Sequence, residues 1–128
     1  MTTEQTPTRI ELGARGEALA VEFLKRLGLR ILDRNWRCRY GELDVIAADD
    51  TTRTVVFVEV KTRTGDGYGG LADAVTPRKV RRLRLLAGLW LAAHDGRWAA
   101  VRIDVIGVRM GRGYSSRTPE ISHLQGVG

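Results

Sequence analysis

Cysteine occurs once in the 128 residues, at Cys38. That excludes an internal disulfide and any zinc site built from several cysteines of one chain, and it fits a reduced, cytoplasmic setting. Histidine is nearly as scarce: His94 and His123 stand isolated in the sequence, so neither a histidine-based hydrolase nor a histidine zinc site is expected. Long apolar runs are missing. The richest, Leu83 to Ala93, is too short to span a bilayer, and the polar opening Met1 to Thr8 lacks the apolar core of a secretory signal. Residues 1–9 read as a disordered leader, and residues 10–128 as one domain with no internal repeat. Negative charge is in the minority, with 15 acidic residues against 21 basic ones and a net charge of +6. Such a balance favours a polyanionic partner, nucleic acid or an anionic surface, and ribosome association or plain solubility gives the same balance.

What is present is organised around Thr54 to Arg63, a β-branched run in which only Glu59 and Lys61 interrupt the apolar core pattern. In a strand these two share a face with Val55 and Phe57, while Val56, Val58 and Val60 take the other. Burying charge is costly unless it is paired or bound to a metal, so Glu59 and Lys61 form either a local ion pair or part of a site.

Before this strand, Leu12, Leu19, Ala20, Phe23, Leu24 and Leu27 recur with a helical period that stops at Gly28. Around that helix Glu17 falls about 60° from Ala20, on the edge of the apolar face. The other charges, Glu11, Arg15, Glu22, Lys25 and Arg26, point away from it. Gly13 and Gly16, poor helix residues beside that carboxylate, suggest close approach to a neighbouring element. Leu29 to Trp36 predicts a first strand, after which Arg34, Arg37 and Arg39 crowd around Asn35, Trp36 and Tyr40. Arginines interleaved with aromatics suit phosphate contact and base stacking; an exposed loop packing one tryptophan reads equally well. Gly41 to Ala48 predicts a second strand with Glu42, Asp44 and Ile46 on one face and Leu43, Val45 and Ala47 on the other. Asp49 to Arg53 is turn chemistry, so an antiparallel hairpin centred near Thr51 should set Asp44 opposite a residue near Glu59.

The glycine-rich loop Thr64 to Gly70 matches neither a Walker nor a dinucleotide fingerprint. Thr76-Pro77 then opens a second helix running to about His94. Its core face is Val80, Leu83, Leu86, Ala87 and Trp90, and its first turns carry Arg78, Lys79, Arg81, Arg82 and Arg84 with no acid among them. So one-sided a cluster suits a phosphodiester backbone better than an ordinary solvated face. Because the charged turns precede the apolar part, a membrane-surface helix is disfavoured and no membrane partner is expected. Trp98 to Val108 predicts a fourth strand, with Val101, Ile103 and Val105 on one face and Arg102, Asp104 and Ile106 on the other. Residues 110–119 read as a mobile connector, and Glu120 to Leu124 as a short edge strand. Arg102 and Asp104 read as a supporting ion pair, and Glu42 as a peripheral ligand or an arginine's partner.

Glu17, Asp44, Glu59 and Lys61 can thus be brought to one place by three elements. Hard oxygen donors suit Mg²⁺ or Mn²⁺, which prefers one or two carboxylates plus phosphate oxygens. Such a site suits phosphoryl chemistry, with Lys61 orienting the attacking water or stabilising the oxyanion.

Asp44, followed after a hairpin by Glu59-Val60-Lys61 and preceded by a helix bearing Glu17, resembles the PD-(D/E)xK nuclease superfamily, whose core is the same helix, three strands, helix, strand series. The ordered set Gly16-Glu17, Arg34-Asn35, Gly41-Glu42-Leu43-Asp44, Phe57-Val58-Glu59-Val60-Lys61 and Arg102-Ile103-Asp104 closely resembles the small bacterial YraN-like proteins, related in fold to archaeal Holliday-junction resolvases. The likeness runs from about Leu12 to Leu124. It implies an α/β, restriction-endonuclease-like αβββαβ core with a mixed central sheet flanked by two helices. It further implies Asp44 and Glu59 as metal ligands, Glu17 as an accessory ligand, Lys61 as the catalytic lysine and Mg²⁺ or Mn²⁺ as cofactor. The implied activity is an endonuclease on nucleic acid, DNA ahead of RNA and branched or structured DNA favoured, working as a homodimer. Glu42-Leu43 stands where the superfamily has a proline before its first acid, a departure shared by resolvase-like members. The alternative is a non-catalytic nucleic-acid-binding protein that keeps the fold. Arg34, Arg37, Arg39, Arg78, Lys79, Arg81 and Arg82 are the expected nucleic-acid contacts in either case.

Overall fold

The computed structural model describes residues 8–64, 70–111 and 118–128. Most of the expected leader, glycine-rich loop and connector, at 1–7, 65–69 and 112–117, lies outside the described residues. The elements are helix α1 (Arg9–Arg26), strands β1 (Arg30–Cys38), β2 (Gly41–Asp49) and β3 (Thr54–Thr64), a 3-10 turn (Leu71–Ala74), helix α2 (Pro77–Ala93), and strands β4 (Ala100–Met110) and β5 (Glu120–Leu124). The five strands form one sheet in sequence order. β3 and β4 pair in parallel and every other neighbour pair is antiparallel. A parallel pair needs a crossover, and α2 supplies it. The expected α/β class, with a mixed sheet flanked by two helices, is the observed architecture.

Helix α1 starts earlier than its apolar period suggests. Thr8 is the N-cap: its hydroxyl accepts from the Glu11 N–H at 3.1 Å, while the Glu11 carboxylate accepts from the Thr8 N–H at 3.4 Å. This reciprocal capping box fixes the first turn, so Thr8 and Arg9 belong to the domain and not to the leader. At the other end Gly28 takes φ +90°, the left-handed position that follows a helix C-cap. Helix α2 opens as its Thr-Pro start predicts, with the Thr76 hydroxyl accepting from the Lys79 N–H at 3.1 Å.

Each helix buries one face against one side of the sheet. Ala20, Val21 and Leu24 of α1 pack on Val45, Ala47, Val56, Val58, Ile106 and Val108. On the other side Leu83, Leu86, Ala87 and Trp90 of α2 pack on Ile46, Val55, Phe57 and Ile103. A strand covered on both faces reads as a continuous apolar run, which is why Val55 to Val58 shows no polar alternation.

Leu43 is the exception to the predicted faces. Simple alternation assigns it to the Val45 and Ala47 side, yet it is buried with Ile46 and Trp36 on the α2 side. The ladder explains this: Arg34 pairs with Val45 and Trp36 with Leu43, and between them Asn35 adopts φ +52°. Both strands therefore shift side-chain phase together at Asn35 and Asp44. Asparagine accommodates the left-handed conformation better than other residues that carry a side chain. β1 also continues to Cys38, two residues beyond the expected Trp36.

Candidate active site

Asp44 sits at that shift, just past the last β2–β3 ladder pair, Val45 with Val58. The two strands part there, and Asp44 Oδ2 accepts from the Val60 N–H at 2.8 Å. A side-chain carboxylate thus replaces the backbone partner that Val60 would otherwise have on β2. Burial, then the negative charges of Glu59, Glu17 and Glu42, push the Asp44 carboxyl up to about 6, while the Val60 bond pulls the other way. Desolvation and like charge both penalise the ionised form.

Glu17 reaches the same place from α1. Beside it Gly16 packs directly against the Thr62 side chain of β3, leaving no room for a Cβ. This close approach lets a short helix-borne carboxylate reach the strand ends. Gly13, which shares the helix face, has no such neighbour, so its expected packing role is not observed. Arg34 holds Glu17 at 3.3 Å, and Arg37 holds Glu42 at 3.1 Å. Lys79 Nζ holds Glu59 Oε2 at 3.0 Å. Every carboxylate around Asp44 is thereby balanced by a basic side chain from another part of the chain. Among the described residues, Asp44 makes no ion pair.

A cleft of about 920 Å³ opens here, lined by Glu17, Asp44 and Lys61 together with Arg9, Arg34 and Arg37. Glu59 does not line it: on the Phe57 face of β3 it is turned toward Lys79 of α2. Its charge still reaches Asp44. Among the described residues no group of three or more His, Cys, Asp or Glu side chains is arranged to hold a metal ion. Asp44 is a partly buried carboxylate without an ion pair among the described residues, within range of the charges of Glu59, Glu17 and Glu42, and carboxylate oxygens are the donors a hard divalent cation takes.

The expected phosphate contacts divide. Arg78 and Arg81 are exposed on the first turns of α2. Lys79 is committed to Glu59, and Arg82 donates to the Tyr40 carbonyl at 3.2 Å. Arg34 and Arg37 hold acids of the site, while Arg39 lies 5.2 Å from the centre of the Tyr40 ring. Trp36 packs into the α2-side core with its ring edge toward His94, so Tyr40, 51% exposed, is the aromatic left for stacking in that segment.

Neither histidine is isolated. His94 stacks on Trp90 at 4.2 Å and lies 3.8 Å from Asp33. His123 Nε2 lies 2.8 Å from Asp104, which is fully buried. Asp104 also accepts two bonds from Arg102, at 2.9 and 3.0 Å, and one from the Gly126 N–H at 3.0 Å. The predicted Arg102–Asp104 pair is thus the centre of a larger clasp binding the C-terminal segment to β4. Three long-range partners escaped sequence reasoning: Arg34 for Glu17, Lys79 for Glu59, and His123 for Asp104. Each pair lies about twenty residues apart, and only the fold brings it together. Among the described residues, no helix is long and apolar enough to cross a membrane.

Residues 16–108 match the Uncharacterised protein family UPF0102. The chain belongs to that family. It is 78% identical over 128 residues to a UPF0102 protein of Mycobacterium avium (strain 104), covering all of this chain and 98% of that one. It is 77% identical over 128 residues to a UPF0102 protein of Mycobacterium tuberculosis (strain ATCC 25177 / H37Ra), each covered in full. A UPF0102 protein of Mycobacterium ulcerans (strain Agy99) is 73% identical over 124 residues, with 97% and 99% coverage. The UPF0102 match takes in Glu17, Asp44, Glu59, Lys61 and Asp104, and it stops short of β5 and His123.

Proposed function

We propose that this UPF0102 chain is a divalent-metal-dependent nuclease of the PD-(D/E)xK type, hydrolysing phosphodiester bonds in nucleic acid. The observation that carries the reading is Asp44. Its carboxyl, raised to about 6 by burial and by three other carboxylates, opens into a basic cleft beside Lys61. A fold tolerates unneutralised negative charge at such a cost where function uses it.

Asp44 and Glu59 would hold Mg²⁺ or Mn²⁺, with Glu17 as an accessory ligand once released from Arg34. Bound there, the ion would acidify an attacking water and neutralise charge at the scissile phosphate. The chain's own groups do the rest. Above pH 6 Asp44 is a carboxylate held in orientation by the Val60 N–H. Lys61, a residue of the same cleft wall, would supply an ammonium that stabilises negative charge on the phosphate oxygens as the water oxygen bonds to phosphorus and the P–O bond to the leaving oxygen breaks. Arg9, Arg34 and Arg37 along the cleft and exposed Arg78 and Arg81 on α2 supply sequence-independent backbone contacts. The resolvase likeness favours branched or structured DNA and a homodimer, and the single cysteine favours a reduced, cytoplasmic setting.

A second reading has its own support. Glu17, Glu42 and Glu59 each already have a cation, as in a metal-free protein that binds nucleic acid without cutting it. Incubation with plasmid, single-stranded DNA, RNA and a four-way junction, in Mg²⁺, Mn²⁺ or EDTA, tests the two. Metal-dependent cleavage lost in Asp44→Asn and Lys61→Ala is expected. Cleavage that persists in both variants overturns the assigned residues, and salt-sensitive binding without cleavage by any form establishes the second reading.

A further inference from the structure

Beside the large cleft lies a smaller cavity of about 160 Å³ on the α2 side of the sheet. It is well below the volume that a drug-sized ligand needs, so it suits a small group. Its floor is a grid set by strand register. Lys61 of β3, Gly107 of β4 and Ser122 of β5 form one row, and Arg63, Arg109 and Glu120 form the next. Gly107 is the low point, where a Cβ would come within 2.9 Å of Leu71, whose side chain closes the pocket from above.

The charges on this floor are unusual for a sheet. Arg63 and Arg109 are direct register partners on adjacent strands, and like charges placed opposite one another destabilise a sheet. Lys61 adds a third cation on the same face. Arg63 has a partner in the fold, but among the described residues Lys61 and Arg109 make no ion pair. Arg109 makes none even with Glu120, its register partner on β5. Two cations, Lys61 and Arg109, and the Ser122 hydroxyl around a glycine floor form a receptor for an oxyanion, with Glu120 the opposing charge in the lining.

Lys61 and Arg63 line both this cavity and the large cleft, so the two openings share a stretch of β3. We propose that the pocket is a phosphate subsite, in which Lys61, Arg109 and the Ser122 hydroxyl hold one phosphate group of the strand lying in the cleft. The proposal rests on the nuclease reading for the strand's course. The pocket fixes the strand's register relative to Asp44, and its occupant is either an internal phosphodiester or a terminal monophosphate.

Fluorescence anisotropy in EDTA, with single-stranded oligonucleotides bearing a 5′-phosphate or a 5′-hydroxyl, measures the subsite without cleavage. Arg109→Ala is expected to weaken binding about tenfold and to lower the salt slope by about one. Ser122→Asp, which sets a negative charge in the first row, is expected to do at least as much. Arg97→Ala, removing an exposed charge at the far end of the sheet, is the control for general electrostatics. A preference for the 5′-phosphate identifies a terminal group as the occupant, and equal affinities identify an internal phosphodiester. Arg109→Ala and Ser122→Asp proteins that bind like the Arg97→Ala control overturn the subsite. Arg109-dependent binding by a protein that never cuts would retain the pocket and sink the nuclease reading, whereas cutting without Arg109 dependence would do the reverse.

Discussion

Glu59 Oε2 is neutralised by Lys79 Nζ of helix α2, at 3.0 Å, and not by Lys61, two residues along its own strand. The acid and base of the central strand are therefore separated in role: Glu59 is restrained from another element, and Lys61 is left to the cavities. The Lys79 pair is partly solvated, so it holds Glu59 by at most about 1 kcal/mol. Lys79→Ala should then make Glu59 available at little cost. The Mg²⁺ concentration giving half-maximal thermal stabilisation is expected to fall about two- to fivefold. An unchanged or higher midpoint would remove Glu59 from the proposed ligand set.

Asp44 gives the protein a pH dependence whose sign is fixed. Its carboxyl has an ordinary value near 3.8 and is raised to about 6 in the fold. The folded state therefore holds the proton more tightly than the unfolded chain. Stability from this group is complete below pH 4, declines as pH rises toward 6, and stays low above that, a loss on the order of 3 kcal/mol. Asp44→Asn keeps an oxygen for the Val60 N–H and removes the charge. In EDTA it should be more stable than the parent at pH 8, and the gap should close by pH 4. Thermal melts across that range decide it; a variant less stable than the parent at pH 8 would show that the charge is not a burden to the fold.

Gly16 is where helix and strand come closest, so a single methyl is a sharp probe. Gly16→Ala places a Cβ against Thr62 and must push α1 away from β3, carrying Glu17 with it. Overpacking of this kind costs about 1–3 kcal/mol, more than the gain in helix propensity. Gly13→Ala, with open space around it, should instead stabilise the helix by about 0.5–1 kcal/mol. Denaturant midpoints of the two variants should move in opposite directions, and a common direction would contradict the packing described.

Much of this was legible beforehand, and the failures share a cause. Val80, Leu83, Leu86, Ala87 and Trp90 were the predicted core face of α2, and all five are buried. The hairpin register also followed from counting outward from its turn. Counting assumes a uniform pleat, however, and the paired shift at Asn35 and Asp44 breaks that assumption at the site. Alternation therefore grouped Leu43 with Val45, when the fold buries it with Ile46. The ion pairs of Glu59 and Asp104 were illegible for another reason: their partners come from α2 and β5, and no local pattern marks which of many basic residues will arrive.

The Asp104 clasp is the part of the molecule whose loss should be felt furthest from the cleft. A fully buried carboxylate receives two bonds from Arg102, one from the Gly126 N–H and a contact from His123. Removing it leaves a half-buried guanidinium without its counter-ion, which costs about 3–5 kcal/mol. Asp104→Ala should therefore unfold at a much lower denaturant concentration than the parent. His123→Ala keeps the Arg102 and Gly126 bonds and should cost less, about 1–3 kcal/mol. Its loss should also be local, because His123 belongs to β5, which lies at the edge of the sheet and pairs with β4. Amide exchange resolved by residue separates the two variants: His123→Ala should speed exchange in β5 while leaving Val55 to Val58 protected. Uniform acceleration across the sheet would mean that β5 is part of the cooperative core and not an edge strand clasped onto it.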